Sequence, residues 1–129
     1  MSSRFEISRN ATADYELTLM VTVSNCEKLL PGLIAQLQDY LLGCHLKSCV
    51  LFVDDCSQDE SLAVIRDCCL RLNDFYYLTL QHPGGPSAVL KAGLLAVSSP
   101  WCALIDAQRC AKVSELDLLL QMRTDMGLV

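Results

Sequence analysis

Two adjacent carboxylates, Asp54 and Asp55, follow directly on the apolar run Cys49-Val50-Leu51-Phe52-Val53 and precede Cys56-Ser57-Gln58-Asp59. Such a run reads as a strand buried on both faces, and Ser57 with Glu60 three residues later reads as the capping box of the next helix. The aspartates therefore stand at the carboxyl end of a central strand, the edge at which open α/β sheets take their ligands. Two like charges side by side and half buried are costly unless something binds them. A carboxylate in this place can accept hydrogen bonds from a base N–H or a ribose hydroxyl, or hold a metal ion. The plainer reading is that one of the pair caps the following helix through its free N–H groups.

Four repetitions of strand then helix position that pair. Leu17 to Val23 reads as a buried strand, and Ser24-Asn25-Cys26-Glu27 as the turn into a helix whose apolar face carries Leu29, Leu30, Leu33, Ile34, Leu37 and Leu41, with Gly43 as its stop. After the strand Cys49 to Val53, a second helix repeats Leu62, Ile65, Cys69 and Leu72 and ends at Asn73-Asp74. Tyr76 to Leu80 is a third strand, and Gln81-His82-Pro83-Gly84-Gly85-Pro86 a loop, after which Ser87 caps a helix to about Val97. Trp101 to Ile105 is a fourth strand ending at Asp106, and Ser114 with Asp117 opens a last helix carrying Leu116, Leu119 and Leu120. The order predicts an α/β fold, a doubly wound, mostly parallel sheet of about four strands with helices on both faces. Ser24 to Glu27, Asp54 with Asp55, Gly84 with Gly85, and Asp106 would then converge on one rim.

Composition narrows the function classes. At 129 residues the chain fits one domain, read as a polar N-terminal tail over 1–16 and a folded unit over 17–129. An apolar fraction of 52% with 19% charged residues stocks a core and argues against disorder. A net charge of -5 argues against nonspecific nucleic-acid binding. Met1 to Asp14 lack the apolar core of a signal peptide, and no apolar run is long enough to span a bilayer. The expected location is the cytoplasm, including a membrane surface. Most of the eight cysteines lie inside apolar periodic segments, where a free thiol packs as a small hydrophobe in a reducing compartment. Cys44, His45 and Cys49 match no common zinc spacing and read as structural. His82 reads as a loop residue, Lys91 as solvent-facing and Trp101 as core.

The first strand lacks the glycine-rich fingerprint of dinucleotide-binding folds, and no Walker loop occurs. A receiver domain would place its acidic pair after the first strand, where Asn25 and Glu27 stand here.

In order along the chain, Val53-Asp54-Asp55-Cys56-Ser57-Gln58-Asp59, the segment Pro83-Gly84-Gly85-Pro86-Ser87-Ala88 leading to Ala92-Gly93, and Ile105-Asp106-Ala107-Gln108 resemble the motifs of the family-two glycosyltransferases. That is the inverting group that includes the dolichyl-phosphate sugar transferases, and the likeness runs from about Leu17 to the end. The resemblance implies a domain that binds a nucleotide-diphosphate sugar. Thr22, Ser24, Cys26, Glu27, Val53, Asp55, Gly85 and Asp106 would form its nucleotide site, with Val53 and Asp55 at the base and Asp106 beside the ribose and diphosphate. It also implies a divalent cation, magnesium or manganese, at Asp106 and Gln108.

The departures are specific. The proline, tyrosine and first glutamate of the family's opening block are replaced by Thr22, Ser24 and Cys26, with Glu27 one residue later as a substitute. The second aspartate of the Asp-x-Asp metal motif is Gln108, whose neutral amide oxygen is a poorer ligand for a hard cation. The family's acceptor-binding half, with the carboxylate that deprotonates the acceptor, has no counterpart in this sequence, so no catalytic base is assigned. The alternative is a noncatalytic remnant acting as an interaction module. A missing half would leave an open sheet edge and apolar surface exposed, favouring self-association or a partner protein that covers it.

Overall fold

The computed structural model describes residues 11–109. Among the described residues seven elements alternate: β1 (Leu17–Val23), α1 (Leu30–Gly43), β2 (Ser48–Asp54), α2 (Ser61–Arg71), β3 (Phe75–Thr79), α3 (Gly85–Ala96) and β4 (Trp101–Asp106). The last helix expected from Ser114 onward lies outside the described residues. The strands form one parallel sheet in the order β3-β2-β1-β4. Chain order runs outward from β1 to β3 and then returns to the other side of β1. The sheet therefore has its switch point between β1 and β4, where a crevice opens at the strand ends.

Two cores account for the layers. Leu19, Val21, Val50, Phe52, Phe75 and Ile105 pack on one face against Leu30, Leu33 and Leu37 of α1 and Ile65 and Cys68 of α2. Met20, Leu51, Val53 and Cys102 pack on the other face against Val89 of α3. Every residue of β2 is buried, the apolar run Cys49 to Val53 as well as Ser48 and Asp54 at its two ends. The α3 layer stops short of the sheet edge. Leu51, Met20 and Leu104 stand side by side across three strands, yet the first two are 0% exposed and Leu104 is 37% exposed. Leu29, expected on the apolar face of α1, is exposed, and in α2 Cys68 is the deeply buried thiol while Cys69 is half-buried.

Residues 11–16, read from sequence as part of a tail, are tied to the body. Thr12 is buried and its Oγ1 accepts the Ser98 N–H at 2.6 Å. Tyr15 donates to Asp74 Oδ1 at 2.5 Å, and the Glu16 N–H donates to the Lys47 carbonyl at 2.7 Å.

Candidate functional site

The two aspartates of the Asp-Asp step have separate duties. Asp54 is fully buried and turned away from solvent. Its Oδ2 accepts the Ser57 N–H at 3.1 Å and Thr79 Oγ1 at 2.9 Å, and its Oδ1 accepts the Ser57 hydroxyl at 2.5 Å. The cost of burying this charge is met inside the protein, because each oxygen is hydrogen-bonded. It also corrects the expected capping box. Ser57 is committed to Asp54, and α2 begins four residues later at Ser61 with no side-chain cap.

Asp55 faces the rim. Its Oδ1 accepts the Gly84 N–H at 2.8 Å and its Oδ2 the Gly85 N–H at 3.1 Å, so one carboxylate grips the start of α3. Gly85 has φ 81, a left-handed conformation that favours glycine. A Cβ on Gly84 would stand 2.5 Å from that of Ala88. The helix expected to start at a Ser87 cap therefore starts at Gly85, capped from a different loop.

The β1–α1 and β2–α2 loops are joined residue by residue. Asn25, at φ 48, donates its N–H to Ser57 Oγ at 3.0 Å and accepts the Gln58 N–H on Oδ1 at 2.7 Å. The Cys26 N–H reaches Ser61 Oγ at 2.9 Å, and the Glu27 N–H reaches Asp59 Oδ2 at 3.1 Å. Burial works to raise the Asp59 carboxyl, but hydrogen bonds from Ser61 and the Glu27 N–H prevail and hold it below its ordinary value. Burial pushes the Cys26 thiol up, and its side chain belongs to the core.

These loops bound a cleft of about 270 Å3 at the switch point, lined by Thr22, Val23, Ser24, Asp55, Pro86, Val89, Asp106 and Gln108. Five of the expected site residues thus meet on it: Thr22, Ser24, Asp55, Asp106 and Gln108. Cys26 and Glu27 instead line a neighbouring hollow of about 280 Å3, with Asn25, Lys28, Leu29, Asp59 and Gln108. Val53 is fully buried, and Gly85 acts through its hydrogen bond to Asp55. Pro86 and Val89 were not expected in the wall. Their only signal was the position of the glycine loop, because the α3 register that aims them at the cleft depends on Asp55. His82 and Lys91 are exposed, and Trp101 packs against the larger core.

The donor set does not match a divalent cation site. Gln108 donates from Nε2 to the Ser24 carbonyl at 2.7 Å, and its backbone N–H donates to Asp106 Oδ1 at 3.0 Å. Asp106 Oδ2 lies 3.8 Å from Arg109 Nε. Among the described residues no three His, Cys, Asp or Glu side chains converge as ligands, and the trio Cys44, His45 and Cys49 is not such a group.

A parallel α/β sheet with an acidic crevice at its switch point is an architecture that takes ligands at the carboxyl ends of its strands. The sequence matches the glycosyl transferase family 2 model over residues 18–121, and the chain belongs to that family. It is 26% identical over 108 residues to a dolichyl-phosphate beta-glucosyltransferase of Trichomonas vaginalis, a match covering 80% of this chain and 33% of that protein. Among solved structures, S. aureus TarS 1-349 in complex with UDP-GlcNAc superposes with a TM-score of 0.61 at 22% identity, over 81% of this chain and 30% of that one. The mannosyltransferase PcManGT of Pyrobaculum calidifontis, in complex with GDP-Man and Mn2+, gives 0.59 at 18% identity, over 81% and 31%. The chain spans about a third of the length of these relatives. Among the described residues no helix is long and apolar enough to cross a membrane.

Proposed function

We propose that the cleft binds a nucleotide-diphosphate sugar and that the chain acts as the donor-binding portion of a glycosyltransferase. The observation that carries this reading is the meeting of Thr22, Asp55 and Asp106 on one crevice between β1 and β4. Asp55 keeps acceptor capacity for a base N–H beyond the two glycine N–H groups it already holds. Asp106, at the end of β4, stands where ribose hydroxyls and the diphosphate would follow. The cleft's two carboxylates both accept backbone N–H groups, so neither is assigned as the base that activates an acceptor. Transfer to an acceptor would then draw on groups outside the described residues, in a longer chain or a partner protein. The alternative of a noncatalytic interaction module draws its support from Gln108 in place of a metal-motif aspartate.

Thermal stability of the whole chain against UDP, GDP, UDP-GlcNAc and GDP-mannose tests the reading. A ligand at a hundredfold its dissociation constant adds about 2.7 kcal/mol of stability. The expected result is stabilisation by one nucleotide series, abolished in Asp106→Ala. A folded chain that no nucleotide stabilises would leave the interaction module standing.

A further inference from the structure

We propose that this chain has exchanged the cation site of its rim for a tether and an arginine, so that a nucleotide diphosphate binds without a divalent metal. The proposal rests on the donor-binding reading and names how that site meets the diphosphate charge.

The tether is Gln108. Its Nε2–H points at the Ser24 carbonyl oxygen at 2.7 Å and closes the turn after β4 onto the turn after β1. A carboxylate at position 108 has only acceptors, so facing the Ser24 carbonyl and Asp106 it would need a cation between them. The amide supplies the positive end itself. Gln108 also forms part of the wall of both hollows, so its fixation sets the edge of the cleft.

The arginine is Arg109. Asp106 is partnered by the Gln108 N–H on one oxygen and approached by Arg109 on the other, so its charge is balanced by protein groups. The ion pair is long, at 3.8 Å, and the Arg109 side chain is 88% exposed. Such a pair binds weakly. The guanidinium is free to turn from Asp106 to phosphate oxygens, which its planar fork fits in pairs. A diphosphate beside Asp106 would otherwise meet a carboxylate with no opposing charge.

The test has two arms on the full chain. In the first, Mn2+ alone is added to isotopically labelled protein and paramagnetic broadening is read at the amides of residues 104–109, in wild type and in Gln108→Asp. Selective broadening is expected in Gln108→Asp only. Selective broadening around Asp106 in wild type overturns the exchange, and so does its absence from a folded Gln108→Asp. In the second arm, UDP and GDP are titrated calorimetrically in EDTA and in Mn2+. Wild-type affinity is expected to agree within about twofold between the two media, and Arg109→Met to bind roughly tenfold more weakly in EDTA. A tenfold or greater gain from Mn2+ in wild type, or an unaltered Arg109→Met, overturns the arginine's role. Failure of both nucleotides in both media sinks the donor-binding reading and that role with it. The first arm then still decides the tether.

Discussion

Asp55 reaches across 29 residues of sequence to accept the Gly84 N–H at 2.8 Å, and so caps a helix that belongs to a different βα unit. Helix α3 has no side-chain cap of its own at Gly84, and the Gly85 N–H goes to the same carboxylate. Two N-terminal N–H groups and the positive end of the helix thus depend on one residue.

Removing that carboxylate should loosen α3. Asp55→Ala is expected to cost about 1–2 kcal/mol, the range for lost N-caps, read as a lowered urea midpoint. Asp55→Asn, which keeps one acceptor oxygen, should lose less. An Asp55→Ala protein as stable as wild type would mean that solvent caps the helix equally well.

The contrast between strands and caps marks what the sequence could carry. The central strands were legible because burial on both faces demands apolar runs, a local signal that Val50-Leu51-Phe52-Val53 supplies in full. The meeting of Ser24, Asp55 and Asp106 on one rim followed from the alternation of strands and helices, while Thr22 and Gln108 were reached only through the family resemblance. Helices α2 and α3 start at Ser61 and Gly85 rather than at the serines expected to cap them, because the groups that decide these starts are not local. Ser57 is drawn off by Asp54, whose other partner is Thr79, and α3 is capped from the β2 loop. The inward turn of Cys26 and the joining of Asn25 to Ser57 and Gln58 likewise depend on a loop more than thirty residues away.

Gly93 is fixed by close approach. A Cβ there would collide with the Met20 sulfur and lie 3.0 Å from Val53 Cγ2, at the point where α3 crosses the sheet. Alanine favours a helix interior over glycine by about 1 kcal/mol, but overpacking a core costs about 1–3 kcal/mol. Both neighbours are fully buried, and the valine has little freedom to yield. Gly93→Ala should therefore be net destabilising in chemical denaturation. Met20→Ala in the same chain should recover part of the loss by making room, a coupling readable in a double-mutant cycle.

Asp54 is the buried counterpart of Asp55 and should be the more sensitive position. Asp54→Ala strands the Ser57 N–H, takes from the Thr79 hydroxyl its 2.9 Å acceptor, and is expected to cost about 2–3 kcal/mol. Thr79→Val removes one donor and should cost less. In Asp54→Ala the added Thr79→Val change should be nearly neutral, since the hydroxyl then keeps only the long 3.4 Å contact to the Leu80 carbonyl. Additive losses from the two changes, measured by urea unfolding, would show that the bond carries no coupling.

Two thiols on the α3 face of the sheet make stability fall at alkaline pH. Cys49 and Cys102 flank Thr18 in register, and burial pushes each thiol from 9.0 up to about 12. Above pH 9 the unfolded chain gives up these protons first and so binds fewer than the folded one. Stability is therefore full below pH 9 and falls by about 1.4 kcal/mol per pH unit for each thiol until pH approaches 12. Burial, joined by its hydrogen bonds to Asp74 and Tyr76, raises the Tyr15 phenol and adds to the fall. Cys102→Ala should shallow the slope between pH 9 and 11 by one thiol's share, with Tyr15 unaltered in both proteins. The same burial should keep Cys49 and Cys102 unlabelled by iodoacetamide at pH 8, since the thiolate is about one part in ten thousand there. Labelling of either cysteine in the folded protein at the rate seen in urea would show that the sheet opens on that face.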